Sequence, residues 1–276
     1  MIGSPASREA LLHVVKNLPA APRILAQLGQ LLLEPNSDLT DVVGLLKHDT
    51  ALTARVIRVS NSAVYGSGSR AGSLDEALLR VGFNEVYRLV GLAAVSQLSD
   101  DSLQNYGISG VRFRENSLFV AFVVEVLAPR LDLDPRSAYT AGLLRSTGKI
   151  AIDRLVPGPM RTRSYGNIGN SRPIAEWELD VVGMDNSTAA ATVLDEWRFP
   201  ALTSSSIRHH YVPASTSPLS KLLNVACGLT EKAGYPLPGE QSYWTAAADP
   251  QVADWDLENA VVIARGQFER ARQAIG

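Results

Sequence analysis

Apolar residues recur every three or four positions along nearly the whole chain, a period that selects helices and leaves little room for strands. The segment from Leu18 shows the pattern. Leu18, Pro19 and Pro22 open it, Ile24, Leu25, Leu28, Leu31 and Leu32 form one stripe, and Pro35 stops it. Proline is tolerated in a first turn, where its missing N–H has no intrahelical partner, and it ends a helix when it arrives later. Behind the turn Asn36-Ser37-Asp38, a second stripe comprises Leu39, Val42, Val43, Leu45 and Leu46. Asp49 is placed to cap a helix that carries Leu52, Val56, Ile57 and Val59 and ends near Asn61. Ser73 and Glu76 have capping-box spacing and predict a short helix over 77–81, followed by a longer one over 84–98.

The run from Val120 to Val126 is rich in β-branched residues, yet its length and neighbours favour a buried helix over 111–131. Asp134-Pro135 opens a helix predicted to continue to Leu155. The stretch from Pro157 to Pro173 collects turn formers together with Arg161, Arg163 and Arg172, and reads as an exposed loop. Helices resume over 174–182, 187–197, 200–211, 217–232 and 257–274. The expectation is an all-α, multi-helix bundle with an N-terminal helical subdomain. A register change near 100–110 places the divisions at 1–105 for the N-terminal helical part, 106–235 for the second helical part and 236–276 for a C-terminal helical extension.

With 276 residues, 46% of them hydrophobic, the chain has material for a substantial core. Its 26 basic and 28 acidic residues give a net charge of −2, so there is no broad electrostatic reason for nucleic-acid or membrane-surface binding. The single cysteine, Cys227, excludes an intrachain disulfide and an all-cysteine zinc site. No basic region followed by an apolar run opens the sequence, and no apolar run approaches the ~20 residues of a membrane span. A cytoplasmic protein is the expectation.

A series of short motifs then becomes recognisable. Leu18-Pro19-Ala20-Ala21-Pro22, Asp49 to Val56, Ser60-Asn61-Ser62-Ala63-Val64-Tyr65-Gly66, and Ser73 to Leu78 with Val81-Gly82 occur in order and at consistent spacing. Together they resemble the HDOD domain, the HD-related output domain of bacterial signalling proteins. Downstream, Gly142-Leu143-Leu144-Arg145-Ser146-Thr147-Gly148-Lys149 stands where HD-type phosphohydrolases carry GLLHDIGK, and Trp197-Arg198-Phe199-Pro200 followed by His209-His210 resembles their WxxP and HH. The resemblance covers residues 10 to 235 and implies an HD-like helical bundle.

In HD-type enzymes, His and Asp side chains hold divalent metals that activate water and clamp a phosphate. Carried over position by position, the resemblance puts Asn116 at the first His, Arg145 and Ser146 at the HD dyad, Asn186 at a further His and Cys227 at a late Asp. Only His209 and His210 remain. Arginine does not deprotonate in a protein, so Arg145 sets a fixed cation where a metal would sit. Adjacent helix positions point ~100° apart, so one of the two histidines is expected in the core and the other at the surface. The implied reading is a degenerate phosphohydrolase: no catalytic residue, no metal, no cofactor.

Lys149 is read either as a phosphate contact or as a solvated lysine, and Cys227 as a small buried hydrophobe rather than a nucleophile. Asn61 and Tyr65 close a helix end, as local structure or as a partner surface; Arg161 and Arg163 are a solvated face or an anion contact. The glycine-rich Gly66-Ser67-Gly68-Ser69-Arg70 lacks the Lys-Ser/Thr ending of a P-loop. The function expected is a regulatory output module that binds a protein partner or a small anionic ligand, without nucleic acid or membrane. A residual metal-dependent phosphohydrolase or nucleotide-binding protein is the alternative.

Overall fold

A computed structural model describes residues 8–19, 21–34, 36, 38–62, 70–99, 101–156, 164–168, 172–212, 217–245, 252 and 254–275. Among them the backbone is helical, with an isolated antiparallel bridge between Leu103 and Ile108. The first part comprises α1 (Arg8–Lys16), α2 (Ala21–Leu31), α3 (Leu39–Leu46), α4 (Thr50–Ser60), α5 (Leu74–Val81) and α6 (Phe83–Leu98). Helix α1, which turns Leu11 and Val15 inward, has no counterpart in the periodicity reading, which begins at Leu18.

Local side chains start these helices. Asp38 accepts from the Thr40 and Asp41 N–H groups, and Asp41 accepts from the Asp38 N–H in return. Asp49 accepts from the Leu52 N–H and begins α4. Ser73 accepts from the Glu76 N–H, but the Glu76 carboxylate reaches back to the Gly72 N–H rather than to Ser73. With Ser73 as the N-cap, the helix starts at Leu74, three residues before the position expected.

A turn with Gly107 at φ 67° leads into α7 (Gly110–Leu127), which tightens into a 3-10 turn over Ala128–Leu131. Pro129 supplies no N–H, so the α-helix expected to reach residue 131 ends at Leu127. The β-branched run Val120–Val124 is buried around the helix because α6, α8 (Pro135–Leu144), α14 (Pro218–Lys232) and α15 (Leu257–Ile275) enclose it.

The helix expected from 134 to 155 is two helices, α8 and α9 (Thr147–Leu155), broken at Arg145-Ser146. The break turns α9 onto α12 (Asn186–Glu196), where Gly148 lies so close that a Cβ would collide with the Asn186 carbonyl oxygen. Gly142 does the same for α8, since a Cβ there would come 2.8 Å from the Ala121 Cα of α7.

Three more elements complete the order: the turn α10 (Tyr165–Ile168), α11 (Ile174–Val182) and α13 (Ala201–Arg208). The stretch read as an exposed loop is not exposed at Tyr165, whose ring is fully buried edge-on against Trp177. Aromatic burial there overrides the local turn composition. One hydrophobic core runs from Leu11 to Ala271. No helix among the described residues is long and apolar enough to cross a membrane.

A buried polar network at the candidate functional site

The α8–α9 break positions the candidate site. Arg145 ends α8 and Lys149 lies in the first turn of α9, and both side chains enter the protein interior with at most 1% exposure. Two buried cations need partners, because an isolated charge in a low-dielectric interior is very costly. Two carboxylates supply them. Glu240 receives Arg145 Nη1 at 3.2 Å, Arg145 Nη2 at 3.1 Å and Lys149 Nζ at 2.9 Å. Glu178, from α11, lies 3.9 Å from Lys149.

Neutral groups complete the network. Arg145 Nη2 donates to Asn116 Oδ1 (2.7 Å), while the Asn116 amide donates to the Tyr235 carbonyl (2.6 Å). Tyr211 Oη donates to Glu240 (2.8 Å) and receives Lys149 Nζ (3.1 Å). Asn186 donates to Glu178 through both its backbone N–H (2.7 Å) and its side-chain amide (2.8 Å), and Tyr106 Oη donates to the other Glu178 oxygen (2.8 Å). Arg145 also lies over the Trp244 ring, 5.5 Å from its centroid.

Burial alone would push the Glu240 carboxyl up, but Arg145, Lys149 and their hydrogen bonds outweigh it and hold Glu240 well below the usual carboxylate range. For Glu178 burial dominates, and Lys149 with the Asn186 bonds only partly offsets the rise. Burial, reinforced by the Arg145 charge, depresses His210 to about 3. Burial raises the Cys227 thiol to about 12 against the pull of Arg145.

The structure gathers most, but not all, of the residues singled out in the sequence. Asn116 and Arg145 touch directly, and Asn186 joins them through Tyr211 and Glu240. Cys227 is buried on α14 within reach of the Arg145 charge. Ser146 is buried, and its hydroxyl has no hydrogen-bond partner among the described residues. His210 is fully buried, with Nδ1 on the Ile207 carbonyl and its ring stacked on Trp244, whereas His209 is exposed. The solvated alternative for Lys149 is overturned: its ammonium is sealed between Glu240 and Glu178 because the helix break turns it inward. Asn61 lies elsewhere, its amide bridging the Ala71 N–H and C=O (2.8 and 2.9 Å) and accepting from Arg80. Tyr65, Arg161 and Arg163 lie outside the described residues.

Glu178, Glu240, Tyr106 and Tyr211 were missed in the sequence. Glu178 had a legible signal: it occupies an inward position of α11 with Ile174, Trp177, Val181 and Val182, where a carboxylate demands a partner. Glu240 sits between Pro238-Gly239 and Gln241 and shows no periodicity; only the fold brings it to Arg145.

These side chains do not fit a metal. Two cations already occupy the centre, the Asn116 oxygen is taken by Arg145, and among the described residues no group of three or more His, Cys, Asp or Glu is placed to hold an ion. No hydrolytic step follows from this geometry.

The HDOD domain family model matches residues 18–213. The chain belongs to the HDOD domain family. It is 25% identical over 216 residues to an uncharacterized protein of Treponema pallidum (strain Nichols), a match covering 76% of this chain and 41% of that protein's length. Among solved structures, a "Putative phosphohydrolase" of Shewanella amazonensis SB2B is 25% identical with a TM-score of 0.66, covering 96% of this chain and 98% of the other. A "Putative signal transduction protein" of Marinobacter aquaeolei VT8 is 20% identical with a TM-score of 0.68, covering 96% of this chain and 65% of the other. This HDOD chain thus spans less than half of its Treponema relative.

Proposed function

We propose that this HDOD chain is a non-catalytic regulatory module of bacterial signal transduction that acts by binding a protein partner or a small ligand. The observation that supports the proposal is the sealed network of Arg145, Lys149, Glu178 and Glu240, built around Arg145, which the resemblance equates with the first member of the HD dyad. In this reading Asn116, Arg145, Ser146, Asn186, His209, His210 and Cys227 are former ligand positions. The name of the Marinobacter neighbour agrees with a signalling role.

A residual phosphohydrolase is the alternative, favoured by the name of the Shewanella neighbour. Hydrolysis assays on the purified chain separate the two. Phosphomonoesters, phosphodiesters and nucleotides are offered with Mg²⁺, Mn²⁺, Fe²⁺ or Zn²⁺, and no rate above the metal-only blank is expected. Metal-dependent turnover abolished in Asn116→Ala and His210→Ala would establish the enzyme instead. For the binding role, affinity purification from the cells that make the protein is expected to recover a signalling protein that rebinds saturably when both are pure.

A further inference from the structure

The carboxylate at the centre of the buried network comes from outside the residues that match the family. Its donors Arg145, Lys149 and Tyr211 lie within residues 18–213, whereas Glu240 stands in the connection between α14 and α15. Residues 235–245 of that connection form a strap whose one helical turn is the 3-10 turn Gln241–Tyr243. Glu240 is 1% exposed, yet Gln241 and Ser242 face solvent, so its carboxylate enters the network from the surface. Gly239, at φ 75°, makes the turn that aims it inward.

The strap is held as a bound peptide is held, by its backbone and one anchoring side chain. Four of its carbonyls accept from the helices around it. Tyr235 C=O accepts from the Asn116 amide (2.6 Å), Pro236 C=O from Arg112 Nε (2.8 Å), Gly239 C=O from the Ile174 N–H (2.9 Å) and Tyr243 C=O from the Asn224 amide (2.7 Å). The Tyr243 ring stacks on Tyr211 with centroids 4.3 Å apart. The anchor is Glu240. Its Oε1 receives Arg145 Nη1, Lys149 Nζ and Tyr211 Oη, and its Oε2 receives Arg145 Nη2. A forked guanidinium beside a second cation is a donor set that selects a carboxylate. Without Glu240 the cradle would hold two cations against Glu178 alone, and buried positive charge of that kind requires an anion.

Building on the binding role proposed above, we infer that the strap is an internal peptide ligand. The groove it fills is a receptor for a glutamate-bearing acidic segment of a partner protein, which binds by taking the strap's place. Backbone carbonyl contacts serve any chain of that shape, and the Arg145–Lys149–Tyr211 cradle supplies the selection for a carboxylate. Covalent attachment gives the strap a high effective concentration, so the groove is closed to the partner until the strap loosens.

The probe is a fluorescein-labelled peptide of residues 235–245, titrated with the full chain by fluorescence anisotropy. Saturable binding to Glu240→Gln is expected, about tenfold or more tighter than to the parent, whose strap keeps its carboxylate. The same peptide with glutamine in place of its glutamate is expected to bind that variant about tenfold or more weaker. Circular dichroism checks that the variant is folded. Hydrogen exchange of the parent gives a reading that needs no variant. The Ile174 amide, bonded to Gly239 of the strap, should exchange by local opening, about tenfold or more faster than the amides in the middle of α7. No saturable binding by folded Glu240→Gln, equal affinity for the parent, equal binding of the glutamine peptide, or an Ile174 amide as protected as α7 would each overturn the strap's role as a ligand. None of these outcomes depends on the hydrolysis assays or on recovery of a partner, so they leave the binding role itself to be judged by those experiments.

Discussion

Glu240→Gln removes one charge from the centre of the buried network and almost no volume. In the parent, Arg145 and Lys149 face Glu240 and Glu178, two positive against two negative. The variant leaves two cations with one carboxylate, and that carboxylate lies 3.9 Å from Lys149. Breaking one partner out of a buried ion pair costs about 3–5 kcal/mol, because the remaining charge stays desolvated. Against a total stability of roughly 5–15 kcal/mol this is a large fraction. It corresponds to a drop of about 6–20 °C in the melting temperature, at about 2–4 °C per kcal/mol for chains near this size. Urea and thermal unfolding followed by circular dichroism measure it. The pair Arg145→Met with Glu240→Gln leaves Lys149 against Glu178, neutral again, and is expected to be more stable than Glu240→Gln alone. A loss within about 1 kcal/mol, the worth of an exposed pair, or a double variant no better than the single one, would refute the charge-balance reasoning.

Other outcomes follow from the same geometry. His210 stays neutral down to about pH 3 in the folded chain, while an unfolded histidine titrates near 6.5. Between those values the unfolded chain holds the extra proton, so this contribution is complete above pH 6.5 and falls as pH drops toward 3. The loss is about 2 kcal/mol between pH 6.5 and 5, and urea titrations across that window should show it shrinking in His210→Gln. Cys227, buried with its thiol raised to about 12, is expected to resist iodoacetamide in the native chain and to react once urea unfolds it. Gly148→Ala forces a Cβ onto the Asn186 carbonyl; it should cost about 1–3 kcal/mol or more in urea unfolding, or prevent folding outright. Asn61→Ala strips both Ala71 backbone groups and Arg80 of a partner, and about 1–3 kcal/mol should be lost in the same assay.

The helices were legible wherever an apolar stripe repeats over several turns. Their exact ends depended on single residues, as where the Ser73 cap starts α5 at Leu74 and Pro129 ends α7 at Leu127. The α8–α9 break was hidden, since the stripe continues through it; what it brings about is the close approach of Gly148 to α12, about 40 residues away in sequence. The candidate site was half legible for a related reason. Arg145 and Lys149 stand in a recognisable motif, but their counter-charges do not. Glu240 arrives from a Pro- and Gly-rich segment 95 residues beyond Arg145, and no local pattern encodes a pairing at that separation. Charge balance does: a cation assigned to a core position calls for a buried carboxylate somewhere, and Glu178 on the inward face of α11 answered that description.

Metal uptake tests the central claim most directly. The purified chain is incubated with excess Mn²⁺, Fe²⁺ or Zn²⁺, desalted and analysed by inductively coupled plasma mass spectrometry. If Arg145 and Lys149 occupy the metal's place, the metal content stays well below one ion per chain and does not change in His210→Ala. One tightly held ion per chain, lost in His210→Ala or Asn116→Ala, would contradict the account.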